Sequence, residues 1–309
     1  MINQKALKKQ LDEIGDSVLK SMVLATLKAG NKITKKEYND ELMEKGVHHF
    51  IVTSADFISQ KIILKKLSAD FPSAYFITEE KEKDKKLRNK TLNSENFKEY
   101  VYKKENYIFG IDSLDGTSQY KNGLYEWSVS IGEMFERNER GSIYAPEIKG
   151  GLLAFGGAGN GVYLAEGKNK IQKAYVAKDK EDKNSLIYYG VDIPLYSNYN
   201  RFVNEIANFS RTINICGSCA LGLALVACGK IDAFIQPTQA IWDWFAGYPL
   251  VENAGGKIQF YRFKGENILL IDKPDLEDYN PEKKNLGFIA GNKKLVGRLI
   301  EKLINLYNK

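Results

Sequence analysis

Two aspartates three residues apart, followed at once by glycine and threonine, make Asp112-Ser-Leu-Asp115-Gly-Thr117 the segment of this 309-residue chain best suited to chemistry. It follows the apolar run Tyr107-Ile-Phe-Gly-Ile, which reads as a strand that stops at Asp112. A loop at that strand end can expose both carboxylates, and the three-residue spacing lets one tight turn aim both at a single point. Gly116 lets the backbone approach a ligand closely. The N–H groups of Gly116 and Thr117 can then donate to a phosphate. Oxygen-rich ligation of this kind suits Mg²⁺, which keeps several waters and is usually completed by substrate phosphate. Taken alone, the pattern reads more simply as an ordinary Asp- and Gly-rich turn.

Other acids shift that balance. Glu79 ends a second apolar strand at 74–78, Asp243 follows Trp242 at the start of an apolar helix, and Asp56 sits in the first turn of the helix after Val52-Thr53. At the ends of core elements an uncompensated carboxylate costs stability. Stabilisation by a helix dipole would account for Asp56 or Asp243. It would not account for Glu79 or for the Asp112/Asp115 pair.

The elements that must position these acids follow from periodicity. Residues 4–29 read as one helix, with Leu7, Leu11, Ile14, Val18, Met22 and Leu27 near a helical period and Gly30 closing it. The polar stretch 31–45 reads as mobile, 50–53 as a short strand, and Ser54 as the cap of a helix reaching about Asp70. The lysine-rich stretch 81–106 reads as a surface excursion. From Trp127 to Leu164 strands alternate in a Gly-rich, antiparallel-looking region, with the glycines of 150–161 in tight turns rather than in a dinucleotide fingerprint. The second half alternates strands at 186–191, 212–216 and 233–235 with helices at 201–209, 220–228 and 242–254. Strands at 257–260 and 287–290 and a helix at 294–307 close the chain. These patterns define two subdomains, 1–184 and 185–309, that share one core.

Bulk properties narrow the class. At 43% hydrophobic and 27% charged the chain is globular in composition. It has no apolar run near the ~18 residues of a membrane span. Its first residues lead into an amphipathic stretch rather than a signal peptide, and three cysteines make no secreted disulfide scaffold. A reducing cytoplasm is the expected location. The net charge of +6 is spread over Lys-rich segments at 81–90 and 168–183 that are interleaved with acids, as on solvated faces. A weaker reading of the same charge is a mild field for anionic substrates. Arg is scattered and not interleaved with aromatics, so a nucleic-acid polymer is not expected as a partner.

Five segments in order then resemble the inositol monophosphatase superfamily of lithium-sensitive, Mg²⁺-dependent phosphatases. They are Val52-Thr-Ser-Ala-Asp56; Ile77-Thr-Glu-Glu80; Ile111-Asp-Ser-Leu-Asp-Gly-Thr117 with Trp127-Ser-Val-Ser-Ile-Gly132; Gly217-Ser-Cys-Ala-Leu221 with Val226-Ala-Cys-Gly-Lys-Ile-Asp-Ala-Phe234; and Trp242-Asp-Trp-Phe-Ala-Gly247 with Glu252-Asn-Ala-Gly-Gly256. The resemblance implies a layered αβαβα sandwich of the sugar-phosphatase type, with an N-terminal antiparallel-sheet half (α+β) and a C-terminal mixed-sheet half (α/β). It implies two or three Mg²⁺ ions, a small phosphate ester as substrate, and a homodimer.

Carried over residue by residue, the resemblance gives a first metal to Glu79, Asp112 and the Leu114 carbonyl, and a second to Asp112, Asp115 and Asp243. A third would sit on Glu79 and waters. Asp56 and Thr117 would pair and, with Glu79, orient the attacking water. The Gly116 and Thr117 amides would grip the phosphate, while Ser118, Gly217, Ser218, Cys219 and Gln236 would face the alcohol. Physics supports the scheme, because about five converging carboxylates beside a phosphate need divalent cations to relieve like-charge repulsion. Direct attack by water needs no protein nucleophile, and no histidine is placed for one.

Departures from the family pattern are Ser113, where proline is common, and Gln60, where many members have an acid. Cys216-Gly-Ser-Cys219 resembles a redox CxxC motif but reads more simply as a small-residue turn, with oxidation of the pair as a subsidiary hypothesis. His48 and His49 would point apart along a strand, so a shared metal is not expected. Trp242 and Trp244 read as core anchors around Asp243. For the substrate, Ala246-Gly247 favours an inositol monophosphate-like alcohol. Tyr144-Ala-Pro and Pro237-Thr-Gln-Ala-Ile-Trp-Asp are similar to 3′(2′),5′-bisphosphate nucleotidases, the alternative reading. Fructose 1,6-bisphosphate, or a binding protein without turnover, stands behind these.

Overall fold

A glycine and an aspartate divide the first helical period. Helix α1 (Gln4–Ile14) ends at Gly15, whose φ of 73° places it in the left-handed region, and Asp16 then caps α2 (Ser17–Ile33) by accepting from the Leu19 N–H. The single helix expected over 4–29 is therefore two. The structure, a computed structural model, describes residues 2–307 apart from 36, 39, 46–49, 103–105, 136, 158, 191–199, 266 and 285. His48, His49 and Val191 lie outside the described residues. The end of the stretch expected to be mobile forms β1 (Glu41–Lys45), paired antiparallel with β2 (Phe50–Thr53). Helix α3 (Ser54–Asp70) is capped by Thr53 rather than Ser54.

After β3 (Tyr75–Thr78) come two short helices, α4 (Lys85–Arg88) and α5 (Phe97–Tyr102). Leu87 and Phe97 are buried there, so 81–106 is anchored to the core rather than being wholly a surface excursion. Next are β4 (Ile108–Asp115), α6 (Thr117–Lys121), β5 (Ser128–Phe135) and β6 (Arg137–Ala145). Then follow β7 (Leu152–Gly157), β8 (Val162–Glu166) and β9 (Gln172–Ala174). Strands β3 to β9 form one seven-stranded sheet in chain order, antiparallel except for the β3/β4 pair.

The second half runs β10 (Leu186–Gly190), α7 (Asn200–Phe209), β11 (Thr212–Cys216), α8 (Cys219–Ala227) and β12 (Ala233–Gln239). It continues with α9 (Ile241–Phe245), α10 (Gly247–Asn253), β13 (Lys257–Lys264), β14 (Asn267–Ile271), β15 (Leu286–Gly291) and α11 (Lys293–Tyr307). The helix expected over 242–254 is thus broken at Ala246, and β14 was not foreseen. The six strands order as β11-β10-β12-β15-β13-β14, with β10 parallel to both β11 and β12 and the other pairs antiparallel.

Alternation of side chains sorts the layers. On β12, Phe234 faces the middle of the molecule with Trp244 and Leu223, while Ala233 and Ile235 face outward against Phe202 of α7 and Leu299 of α11. On the other sheet Phe109 and Ile111 meet Met22 of α2 and Ile63 of α3. The layers are therefore helices, seven-stranded sheet, the helices α8 to α10, six-stranded sheet and helices, the αβαβα sandwich.

The middle layer is seated on bare backbone. Gly110, Gly132 and Gly141 stand side by side on β4, β5 and β6. A Cβ on Gly110 would overlap the Phe245 ring, one on Gly132 would stand 2.7 Å from the Phe245 backbone oxygen, and one on Gly141 would overlap the Ala246 carbonyl. This trough lets the α9–α10 break settle onto the sheet beside the acidic segment of β4.

Candidate metal centre

Asp112 and Asp115 both belong to β4 rather than lying beyond its end. Asp112 is opposite Ser130 and Asp115 opposite Ser128, so three steps on β4 match two on β5. This is a bulge, and it sets the chemistry. Residues three apart on a regular strand point to opposite faces; one extra residue returns both carboxylates to the same face. Asp243 joins them from the first turn of α9, its Oδ2 accepting from the Ala240 N–H at 3.0 Å. One oxygen from each of Asp112, Asp115 and Asp243 lies within 4.8 Å of the others.

The surrounding chain fixes each acid. Asp112 Oδ1 accepts from the Leu114 N–H at 3.1 Å. Asp115 Oδ2 accepts from the Ala220 N–H at 2.6 Å and the Ser218 hydroxyl at 2.7 Å, both from the start of α8. The Ser113 carbonyl accepts from the Ser59 hydroxyl at 2.6 Å, which ties down the loop where proline is missing. Gly116 has a φ of 91°, and a Cβ there would stand 2.8 Å from the Glu126 carbonyl, so the turn into α6 admits only glycine.

Asp56 Oδ2 accepts from the Thr53 N–H at 2.8 Å and the Thr53 hydroxyl at 2.7 Å. Its Oδ1 lies 3.1 Å from the Thr117 hydroxyl, which is also 3.0 Å from the Leu114 carbonyl. Glu79 is half-buried outside the tight trio, close enough to act on Asp56, Asp112 and Asp115 through its charge. Behind it, the Gln60 amide and the Thr78 hydroxyl both donate to the Glu80 carbonyl at 3.0 Å.

Burial, then the neighbouring Glu79, pushes the Asp56 carboxyl up to about 7. Burial lifts Asp115 to about 7 against the opposing pull of its Ser218 and α8 donors. Asp112 is held well above the carboxylate range by burial and by the charges of Asp115, Glu79 and Asp243. Among the described residues no lysine or arginine pairs with Asp112 or Asp115. Oxygen-only donors, tight convergence and the mutual repulsion of these carboxylates fit a hard divalent cation.

The expected substrate contacts are placed unevenly. Gly116 and Thr117 are half-buried and Ser118 is exposed, all at the start of α6. The Gly217 backbone adjoins Gly116 and lies beneath the Gln119 side chain. Ser218 and Cys219 are buried, and Gln236 is buried on β12 against Gly190. All three cysteines are free thiols, and Cys216 donates to the Ser218 carbonyl at 3.2 Å. Trp244 is a core anchor, packed against Phe260 and Tyr279, while Trp242 is half-buried at the core's edge. Sequence reasoning missed Thr53, Ala220 and the glycine trough. Thr53-x-x-Asp56 did carry a signal, the capping-box spacing.

Comparison with known proteins decides the family. The model of the inositol monophosphatase family matches residues 15–304. The chain belongs to that family. Among its family relatives, the Nus factor SuhB of Haemophilus influenzae is 30% identical over 253 residues, covering 78% of this chain and 84% of that protein. The inositol-1-monophosphatase of Bacillus subtilis is 27% identical over 264 residues, covering 82% and 88%. Of solved structures, the extragenic suppressor protein suhB of Bartonella henselae is similar at a TM-score of 0.73 and 24% identity, covering 93% of this chain and 98% of that one. The inositol monophosphatase of Anabaena gives 0.68 and 23%, covering 94% and 96%. These two speak for the fold. Among the described residues no helix is long and apolar enough to cross a membrane.

Proposed function

We propose that this family member is a Mg²⁺-dependent phosphomonoesterase acting on a small phosphorylated alcohol of the inositol monophosphate kind. The observation that carries the reading is the convergence of Asp112, Asp115 and Asp243 within 4.8 Å on the bulge of β4. With Glu79 and the Leu114 carbonyl they would hold two or three ions. Mg²⁺ bound there supplies charge neutralisation, a more acidic water and stabilisation of the leaving alkoxide.

The chain's own residues do the rest. Asp56, held by Thr53, accepts from the Thr117 hydroxyl in preference to the Leu114 carbonyl once that carbonyl is engaged by a metal, and the Thr117 oxygen, with Glu79, then orients the attacking water. The amides of Gly116 and Thr117 orient the phosphate. The name of the Bacillus relative supports an inositol monophosphate as the ester. We read 1–184 and 185–309 as two subdomains, supported by the boundary between β9 and β10, and the working form as a cytoplasmic homodimer.

The test is phosphate release, with and without Mg²⁺, from inositol 1-phosphate, fructose 1,6-bisphosphate and 3′-phosphoadenosine 5′-phosphate. Preference for the nucleotide would move the assignment to a bisphosphate nucleotidase. The names of the Xylella fastidiosa and Haemophilus relatives favour a second reading, in which this chain also serves as a Nus factor. Failure on every ester would turn the assignment to a binding protein that kept the fold without turnover.

A further inference from the structure

Ser218 is fully buried, and every hydrogen-bonding capacity of its hydroxyl is used. A serine hydroxyl has one hydrogen to donate and two lone pairs to accept with. Here the hydrogen goes to Asp115 Oδ2 at 2.7 Å. One lone pair takes the Leu221 N–H at 3.1 Å, which makes Ser218 the cap of α8. The other faces the Ser128 hydroxyl at 2.9 Å. Because the Ser218 hydrogen is committed to Asp115, Ser128 must be the donor in that pair. The direction of the whole chain follows: Ser128 to Ser218 to Asp115.

Asp115 Oδ2 receives a second donor, the Ala220 N–H at 2.6 Å. That oxygen is therefore held by the start of α8, where the Cys219 N–H also donates to the Asp115 carboxylate. Hydrogen bonds to a carboxylate favour its charged form, and their charge-assisted character makes them stronger than neutral ones. They oppose the burial that raises Asp115.

We infer that Ser218 is a positioning residue for the metal ligand Asp115, and that its hydroxyl does not touch the substrate. This inference rests on the reading of Asp115 as a Mg²⁺ ligand. It also means that one carboxylate of the seven-stranded sheet is oriented by a hydroxyl on α8, so docking of the two halves sets the ligand's angle.

The experiment is calorimetric Mg²⁺ titration of the full chain, wild type beside Ser218→Ala, Ser218→Thr and Ser128→Ala, followed by inositol 1-phosphate kinetics at saturating Mg²⁺. Ser218→Ala is expected to weaken Mg²⁺ binding on the order of tenfold. KM should stay within about twofold, since no substrate contact is lost. Ser128→Ala, which keeps the Asp115 bond but frees the Ser218 rotor, should weaken Mg²⁺ by about twofold to threefold. Ser218→Thr should bind Mg²⁺ more tightly than Ser218→Ala because it retains the hydroxyl. Unchanged Mg²⁺ affinity in a folded Ser218→Ala protein, or a large rise in KM alone, would overturn the inference. If the wild type itself binds no Mg²⁺, the metal reading has failed, a result distinct from both. Thermal melting of each variant reports whether it has folded.

Discussion

The Thr117 hydroxyl reaches Asp56 Oδ1 at 3.1 Å across a sequence separation of 61 residues. Because the other Asp56 oxygen is occupied by Thr53, the carboxylate has one orientation and one free edge, and Thr117 stands on it. Removing either partner should cost turnover more than binding. We predict that Thr117→Val and Asp56→Asn lower kcat by at least about a hundredfold, the ordinary scale of general-base loss. Mg²⁺ affinity should remain within about threefold, and Thr117→Ser should keep most of the activity. Phosphate release at saturating Mg²⁺ measures it. Near-wild-type kcat in Thr117→Val would remove Thr117 from the reaction.

Asp112→Asn should abolish turnover and yet stabilise the metal-free protein. In the folded chain Asp56 and Asp115 titrate at about 7, and Asp112 is also well raised. Raised groups bind protons more tightly in the folded state than in the unfolded state. Their contribution is full below about pH 4 and is lost as pH climbs through about 7. The gap in melting temperature between Mg²⁺-loaded and metal-free wild type should therefore widen over that range. At pH 8 metal-free Asp112→Asn should melt higher than metal-free wild type, on the order of 5 °C, with the difference shrinking towards pH 5. A variant that melts lower at both pH values would contradict the repulsion described for the trio.

The glycine trough makes a prediction that distinguishes side chain from backbone. The atoms nearest a Cβ on Gly110 belong to the Phe245 ring, whereas a Cβ on Gly132 also meets Phe245 backbone. Both Gly110→Ala and Gly132→Ala should destabilise by about 1–3 kcal/mol through overpacking and should weaken Mg²⁺ binding by shifting α9. Adding Phe245→Leu should recover much of the loss in the Gly110 variant and little in the Gly132 variant. Double-mutant cycles by denaturant unfolding read this coupling. Equal recovery at both positions would mean that α9 is not seated as described.

Cys216 should be inert in the folded protein. Burial pushes its thiol up to about 12, leaving almost no thiolate at neutral pH. Iodoacetamide should label it only after unfolding, and activity should respond neither to millimolar peroxide nor to dithiothreitol. Peroxide inactivation reversed by dithiothreitol would restore the redox reading of Cys216 and Cys219.

The sequence singled out Asp56, Glu79, Asp112, Asp115 and Asp243 because each borders an apolar run, although a turn or a helix dipole could have claimed some of them alone. The structure brings Asp112, Asp115 and Asp243 together, and the strands around them showed themselves by alternation. What escaped depends on partners distant in the chain. The bulge that brings Asp112 and Asp115 to one face exists only against β5, so the pair looked like a loop. The trough needs glycines of three strands in register, which no local window contains. The breaks at Gly15 and Ala246 interrupt sequences whose apolar spacing continues, so periodicity carried across them. For Ser218 the residue was visible and its task was not, since a hydroxyl can serve a ligand, a helix or a carboxylate with equal ease.

Asp243 rides on α9, which rests on the glycines of the first sheet but is encoded after β10, β11 and β12 of the second. During synthesis the acids at positions 56, 79, 112 and 115 leave the ribosome long before their last companion exists. A nascent or prematurely terminated chain thus carries most of the charge of the centre and none of its closure. The proposed hydrolysis would have to wait until residue 243 is made and α9 has settled on the glycines of the first sheet.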